Sequence, residues 1–245
     1  MGPVRLQKFL ADSGLCSRRA GEAMIAAGEI VVNGEVAHLG QPVTPGVDRI
    51  AIHGRTVGGA AATGTSPFTV AVHKPRGVVC GIAERSYPET VFDLLPRALA
   101  RHRFLPIGRL DPDAEGLVVM TSDGVLADRL ARSNQVVRKF VVSLRTPFDR
   151  ARLAPLVKGV HVGEGTIRVD KAFLLHPGPT GTSSELEIHV SHGRGRGLRE
   201  LFASLGAEVK RLQCVQIGSL KLRGMPLRGS RVLTTDEVAS LFHSD

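Results

Sequence analysis

The chain predicts an α+β fold in two modules, the larger one built on a mixed, mainly antiparallel sheet. Short runs with strand character outnumber helical patterns and are joined mostly by turns, which argues against a series of βαβ units. A single low-complexity stretch, Gly58-Gly59-Ala60-Ala61-Ala62-Thr63-Gly64-Thr65-Ser66-Pro67, has the small, polar composition of a flexible linker. It separates a first domain, residues 3–57, from a second, residues 68–241, with 58–67 between them.

In the first domain Leu6, Phe9 and Leu10 share one helix face, and that helix ends near Ser13-Gly14. Ser17 is a candidate N-cap for a second helix carrying Ala20, Ala23, Met24 and Ala27, stopped at Gly28. Ile30-Val31-Val32 runs through Asn33-Gly34 into Glu35-Val36, a strong hairpin signal. Residues 47–52 supply a further short strand. Arg18 and Arg19, at the head of the second helix, aim cations outward as phosphate contacts require.

In the second domain residues 68–73 alternate as a strand and lead into Lys74-Pro75-Arg76-Gly77, a turn carrying two cations. A short helix over 91–95 is ended by Pro96. Then comes Ile107-Gly108-Arg109-Leu110-Asp111-Pro112-Asp113-Ala114-Glu115-Gly116, followed by an apolar run and the turn Ser122-Asp123-Gly124. The run reads as a buried strand that fixes the polar cluster in space. Residues 125–131 read as a helix, and 140–144, 166–169 and 185–190 as strands. Leu198, Leu201, Phe202 and Leu205 mark a helix face ending at Gly206, and residues 209–217 return as a strand.

Composition narrows the function classes. The formal charge is +9, which points to a polyanionic partner, and Arg and Lys cluster near both ends. Hydrophobic residues make up 42%, yet no apolar run approaches the ~20 residues of a membrane span, and no basic amphipathic helix with a bulky apolar face is evident. The first residues show no apolar signal-peptide core, and position 6 is leucine where a myristoylation signal has Ser or Thr, so a cytoplasmic protein is expected. Cys16, Cys80 and Cys214 are odd in number and widely spaced, which fits reduced thiols and excludes a Cys-x-x-Cys knuckle.

The chemistry centres on Asp111. An arginine two residues away, Arg109, helps to hold a carboxylate ionised, the form in which it is a nucleophile. Taken alone, the same aspartate before Pro112, with acidic Asp113 and Glu115 following, also fits a helix N-cap. A dinucleotide reading of Gly193-Arg194-Gly195-Arg196-Gly197 fails on spacing and on the lack of a later acidic residue. His189 and His192 are too isolated from other ligands to form a metal site.

Two stretches carry family resemblances. Arg5-Leu6-Gln7-Lys8-Phe9-Leu10, Cys16-Ser17-Arg18-Arg19-Ala20 and Val31-Val32-Asn33-Gly34-Glu35-Val36 resemble the S4 RNA-binding module. Gly108-Arg109-Leu110-Asp111, the glycine five residues on, and Leu117 to Gly124 resemble the central motif of the pseudouridine synthases. The order of Lys74-Pro75-Arg76-Gly77, Thr90 to Pro96, that motif, and Gly193 to Arg199 is similar to the branch that modifies single sites in bacterial ribosomal RNA.

The resemblance implies isomerisation of uridine to pseudouridine in ribosomal RNA, free or within an assembly intermediate, by a monomer with no cofactor, metal or membrane partner. It makes Asp111 the nucleophile, Arg199 the basic residue paired with it, and Phe140 the aromatic face of the pocket. Arg109 then fills the vacated base stack or grips the backbone, while Lys74, Arg76, Arg138, Arg194 and Arg196 join Arg18 and Arg19 in contacting RNA. Two departures stand out. Phe140 replaces the family's usual tyrosine, so the phenolic hydroxyl is lost, and Gly195, Gly197 and Glu200 replace side chains usual in the basic motif. They favour the rival expectation, a non-catalytic RNA-binding ribosome-assembly factor on the same fold.

Overall fold

A computed structural model describes residues 2–13, 15–16, 18–57, 67–81, 83, 85–99, 102–162, 165–191 and 197–243. The chain divides into two compact units, Met1–Pro67 with Asp123–Val125, and Phe68–Ser122 with Leu126–Asp245.

The first unit contains β1 (Val4–Arg5), α1 (Leu6–Asp12), α2 (Arg18–Ala26), β2 (Ile30–Val32), β3 (Glu35–Val36), β4 (Pro42–Val43), β5 (Ile50–Ile52) and β6 (Arg55–Val57). The face predicted for α1 is the one that packs: Leu6, Phe9 and Leu10 join Ile25, Ile30, Val32, Val43 and Ile50 in one apolar cluster. Each such side chain contributes about 1.5–3 kcal/mol by leaving water. Strands pair in the order β3-β2-β5-β6, and β1 pairs with β4. Asn33 and Gly34 both have positive φ, 53° and 94°, the signature of the two-residue type I′ turn. The strand expected over 47–52 begins only at Ile50. Asp48 instead takes the Thr44 amide at 2.6 Å and the Asn33 side-chain amide at 2.7 Å, which folds the preceding residues into a turn. Gly28 stops the α2 region in the left-handed conformation, whereas the cap expected at Ser17 lies outside the described residues.

The second unit contains β7 (Thr69–Lys74), β8 (Leu105–Ile107), β9 (Glu115–Thr121), α3 (Gly124–Arg132, from Leu126 on), β10 (Arg138–Asp149), α4 (Leu153–Lys158), β11 (Val160–Val162), β12 (Gly165–Ile167), β13 (Lys171–Leu175), β14 (Thr182–Val190), α5 (Leu198–Ser204), β15 (Val209–Ile217), β16 (Leu220–Lys221), β17 (Ser230–Val232) and α6 (Thr235–Ser240). The main sheet runs β13-β14-β10-β15-β9-β7-β17, with β8 added to β9 and β16 to β15. Every pairing in it is antiparallel except β9 with β15, so the sheet is mixed and mainly antiparallel, as predicted. Residues 91–94 form a 3-10 turn rather than an α-helix, closed by a capping box between Thr90 and Asp93.

Helix α5 buries Leu198, Leu201 and Phe202, and the Phe202 ring meets Phe148 of β10 edge-on at 5.8 Å between centroids. Packing of this kind pins the first turn of α5, and with it Arg199, against the sheet. Among the described residues no helix is long and apolar enough to cross a membrane.

Candidate active site

Asp111 sits in the connection of a β-hairpin. Strands β8 and β9 pair antiparallel, Ile107 opposite Val119, and residues 108–114 join them. No helix follows Asp111. The Ala114 amide instead donates to the Asp111 carbonyl at 3.0 Å, a β-turn with Pro112 in the second position, where its fixed φ suits the turn. The helix-cap alternative for Asp111 is thereby removed.

The loop is held from below by Lys74, the last residue of β7. Its side chain is fully buried, and its ammonium donates to the carbonyls of Ala114 at 2.6 Å, Pro75 at 3.0 Å and Pro112 at 3.3 Å. Three N–H donors meet three carbonyls, the full complement of an ammonium. Burial pulls the Lys74 pKa down to about 8, and the neighbouring Cys80, Asp113, Asp111 and Glu115 oppose that fall. A phosphate contact was expected of Lys74. Its complete burial corrects that expectation, because the cation is consumed by the loop backbone.

From the other side comes Arg199, in the first turn of α5. Its Nη1 donates to the Val209 carbonyl at 2.8 Å and its Nη2 to the Asp113 carbonyl at 3.2 Å, while Nε lies 2.6 Å from the Asp113 carboxylate in an ion pair. The carboxylate that Arg199 reaches in these contacts is thus Asp113, two residues past Asp111. Glu115 is held in turn by Arg211 of β15, whose Nε donates to Glu115 Oε1 at 2.8 Å and whose Nη2 reaches the same oxygen.

Glycines set the remaining geometry. Gly108 has φ 72°, and a Cβ built there would lie 2.6 Å from Nε of Arg138, so the guanidinium packs directly on the loop backbone. Arg138 is only 6% exposed, and burial pushes its pKa down, so its expected role as a surface RNA contact is corrected too. Arg109 is half-buried with its guanidinium against Gly81, where any side chain would collide with it.

The sheet register brings Phe140 to the same row. Phe140 of β10 stands opposite Cys214 of β15, Cys214 opposite Gly116 of β9, and Gly116 opposite Lys74 of β7. Residues paired across strands project from one face, so Phe140 and Lys74 share the face beneath the loop. Phe140 has no exposed surface, and burial pushes the neighbouring Cys214 thiol up to about 12.

Arg76 is exposed in the turn after β7, and Arg18 and Arg19 are exposed on α2 of the first unit. Arg194 and Arg196 lie outside the described residues. Asp113, Glu115 and Arg211 were not foreseen as site residues. Asp113 and Glu115 stood in the motif, but their partners lie 86 and 96 residues away, and nothing in the local pattern pairs them.

Both units match known protein families. The S4 domain family matches residues 4–48, and the RNA pseudouridylate synthase family matches residues 69–204. The chain belongs to the RNA pseudouridylate synthase family. A ribosomal large subunit pseudouridine synthase B of Bacillus subtilis is 33% identical over 239 residues, covering 97% of this chain and 95% of that protein. The protein of the same name from Xylella fastidiosa is 37% identical over 232 residues, covering 92% of this chain but 48% of its own length, so the chain spans about half of that relative. A solved pseudouridylate synthase aligns over 97% of this chain and 99% of its own, at 25% identity and a TM-score of 0.67. Within this synthase fold, Lys74, Arg199 and Arg211 converge on the one hairpin loop that carries Asp111.

Proposed function

We propose that the chain converts a uridine of large-subunit ribosomal RNA to pseudouridine, with Asp111 as the nucleophile. The observation that carries this reading is the way the loop is held. Cations from β7, α5 and β15 immobilise residues 112–115 immediately after Asp111, which ties down the backbone that carries it. Preorganisation of that kind serves a reaction centre, because a displacement of about 1 Å costs on the order of 100-fold in rate.

The reaction is an isomerisation. The N1–C1′ bond breaks, the uracil turns, C5 bonds to C1′, and C5 releases its proton while N1 gains one. Neither oxidant nor co-substrate enters the balance. The target nucleotide leaves its stack first, at a cost of a few kcal/mol. The exposed Arg18, Arg19 and Arg76 supply phosphate contacts that offset this cost, and Arg109 holds the opened strand. Phe140 has no exposed surface and carries no hydroxyl, so proton transfer at C5 falls to Asp111 or water.

The test is tritium release from large-subunit rRNA transcript labelled at uridine C5. Wild type is expected to release tritium, and Asp111→Asn to lose on the order of 10⁴-fold or more of that rate while binding the RNA with unchanged affinity. The rival, a non-catalytic assembly factor, is motivated by Phe140. No tritium release from either chain would leave that rival standing, and equal release from both would remove Asp111 from the reaction.

A further inference from the structure

Three carboxylates lie within five residues, Asp111, Asp113 and Glu115, and the buried ammonium of Lys74 feels all three. Like charges near one another repel. Asp113 is matched by Arg199 of α5 and Glu115 by Arg211 of β15. Among the described residues, the other charged groups facing the loop are Lys74 from β7, Arg109 within the loop, and Arg138 from β10. The thiols of Cys80 and Cys214, both pushed up by burial, stay neutral at neutral pH.

Glu115 is the member that needs explaining. Its side chain is only 12% exposed, a position at which an uncompensated carboxylate is costly. The β9–β15 junction does not require it, since the backbone register there already pairs Glu115 with Gln213 and Gly116 with Cys214. Both Arg211 nitrogens converge on one Glu115 oxygen, Oε1.

We propose that Arg211 is a positioning residue for the reaction at Asp111: it neutralises Glu115 and ties the foot of the loop to β15, so that Glu115 adds no net negative charge beside the reacting carboxylate. This rests on the synthase reading above. Arg211 touches no reacting atom and acts through Glu115 alone.

The experiment measures single-turnover tritium release by the full chain between pH 5 and 8. Wild-type release abolished by Asp111→Asn establishes the underlying reading; no wild-type release defeats that reading, whatever Arg211 does. Given wild-type activity, Arg211→Met leaves Glu115 uncompensated, and the acid limb of the rate profile is expected to move up by about half a pH unit. Arg211→Lys is expected to keep the wild-type limb, and the charge-neutral pair Glu115→Gln with Arg211→Met to restore it. A rate lowered equally at every pH, or a double variant no closer to wild type than Arg211→Met, overturns the proposal. Should Arg211→Met fail to fold, Glu115→Gln reads the opposite sign: the acid limb moves down by a similar amount, and an unmoved limb overturns the proposal.

Discussion

The β2–β3 turn and the β8–β9 loop both close antiparallel hairpins, and they are held in place by different means. In the first, Asn33 and Gly34 adopt positive φ in a two-residue turn, and neighbouring Asp48 and Arg49 add local bonds: Asp48 and the Arg49 amide bind the Asn33 side chain, and the Asn33 amide donates to the Arg49 carbonyl. In the second, the seven-residue loop and the first residue of β9 are held by side chains from β7, β10, α5 and β15. A two-residue turn has nothing to position beyond its own strands. A loop that carries Asp111 has to hold one carboxylate in place, and its own few residues cannot do that, so the determinants come from the rest of the sheet.

The largest expected effect comes from breaking the loop at its closest contact. Gly108→Ala places a Cβ inside the Arg138 guanidinium at a φ that L-residues rarely adopt, so the backbone leading to Asp111 must shift. Turnover is expected to fall about 100-fold, with RNA affinity unchanged, as read by single-turnover rates and filter binding. Wild-type turnover would show that Arg138 yields without moving the loop.

Lys74→Met tests the clamp itself and should separate activity from stability. The substitution strips the buried Ala114 and Pro75 carbonyls of a donor, at about 1–3 kcal/mol each. It also removes a buried charge whose desolvation penalty is of similar size, as the fall of its pKa to about 8 indicates. Amide protection of β7 and β9 at pH 7 is therefore expected to change little, while turnover falls about 30-fold as the loop loosens. A large loss of protection with intact turnover would make Lys74 a packing residue only.

The same lysine gives a pH dependence of defined sign. Its folded pKa is about 8 against an ordinary 10.5, so between these values the unfolded chain binds the extra proton and stability rises with pH. Below pH 8 the penalty for the buried charge is present in full. Wild type is thus expected to gain about 1.5 kcal/mol over Lys74→Met between pH 8 and 9.5, measured by denaturation at each pH. Cys80 and Cys214 act in the opposite direction above pH 9; Cys214 is common to both chains, and Cys80, whose thiol feels Lys74, is replaced by Ala in both so that the difference reports Lys74 alone. A flat difference would mean that Lys74 keeps its proton throughout.

What the sequence made legible follows the same division. Asn33-Gly34, the α1 face and the β9 run are local patterns, and each forms close to where its residues predict it. The Asp111 motif was legible as a string of residues, but not the direction from which it is held. Lys74 and Arg138 are expected at RNA because the family resemblance implies it, and both are buried here because loop backbone stands over them. Helix α6 starts on a capping box between Thr234 and Glu237, a local pattern of the same kind. Strand β8, three residues with a central proline, has no local signature and exists because β9 offers it an edge.

The local turn should be the cheaper of the two to break. A Cβ on Gly34 meets nothing within 4 Å, so Gly34→Ala adds no clash and costs only the left-handed backbone at φ 94°. That cost is about 1 kcal/mol for an L-residue, equivalent to a roughly fivefold fall in amide protection across Val32 and Glu35. The Asn33 contacts to Asp48 and the Arg49 amide remain to hold the register. Turnover per bound RNA should not move, because nothing in this turn orders Asp111. A Gly34→Ala loss as large as that of Gly108→Ala would show that the β2–β3 turn also depends on structure beyond itself.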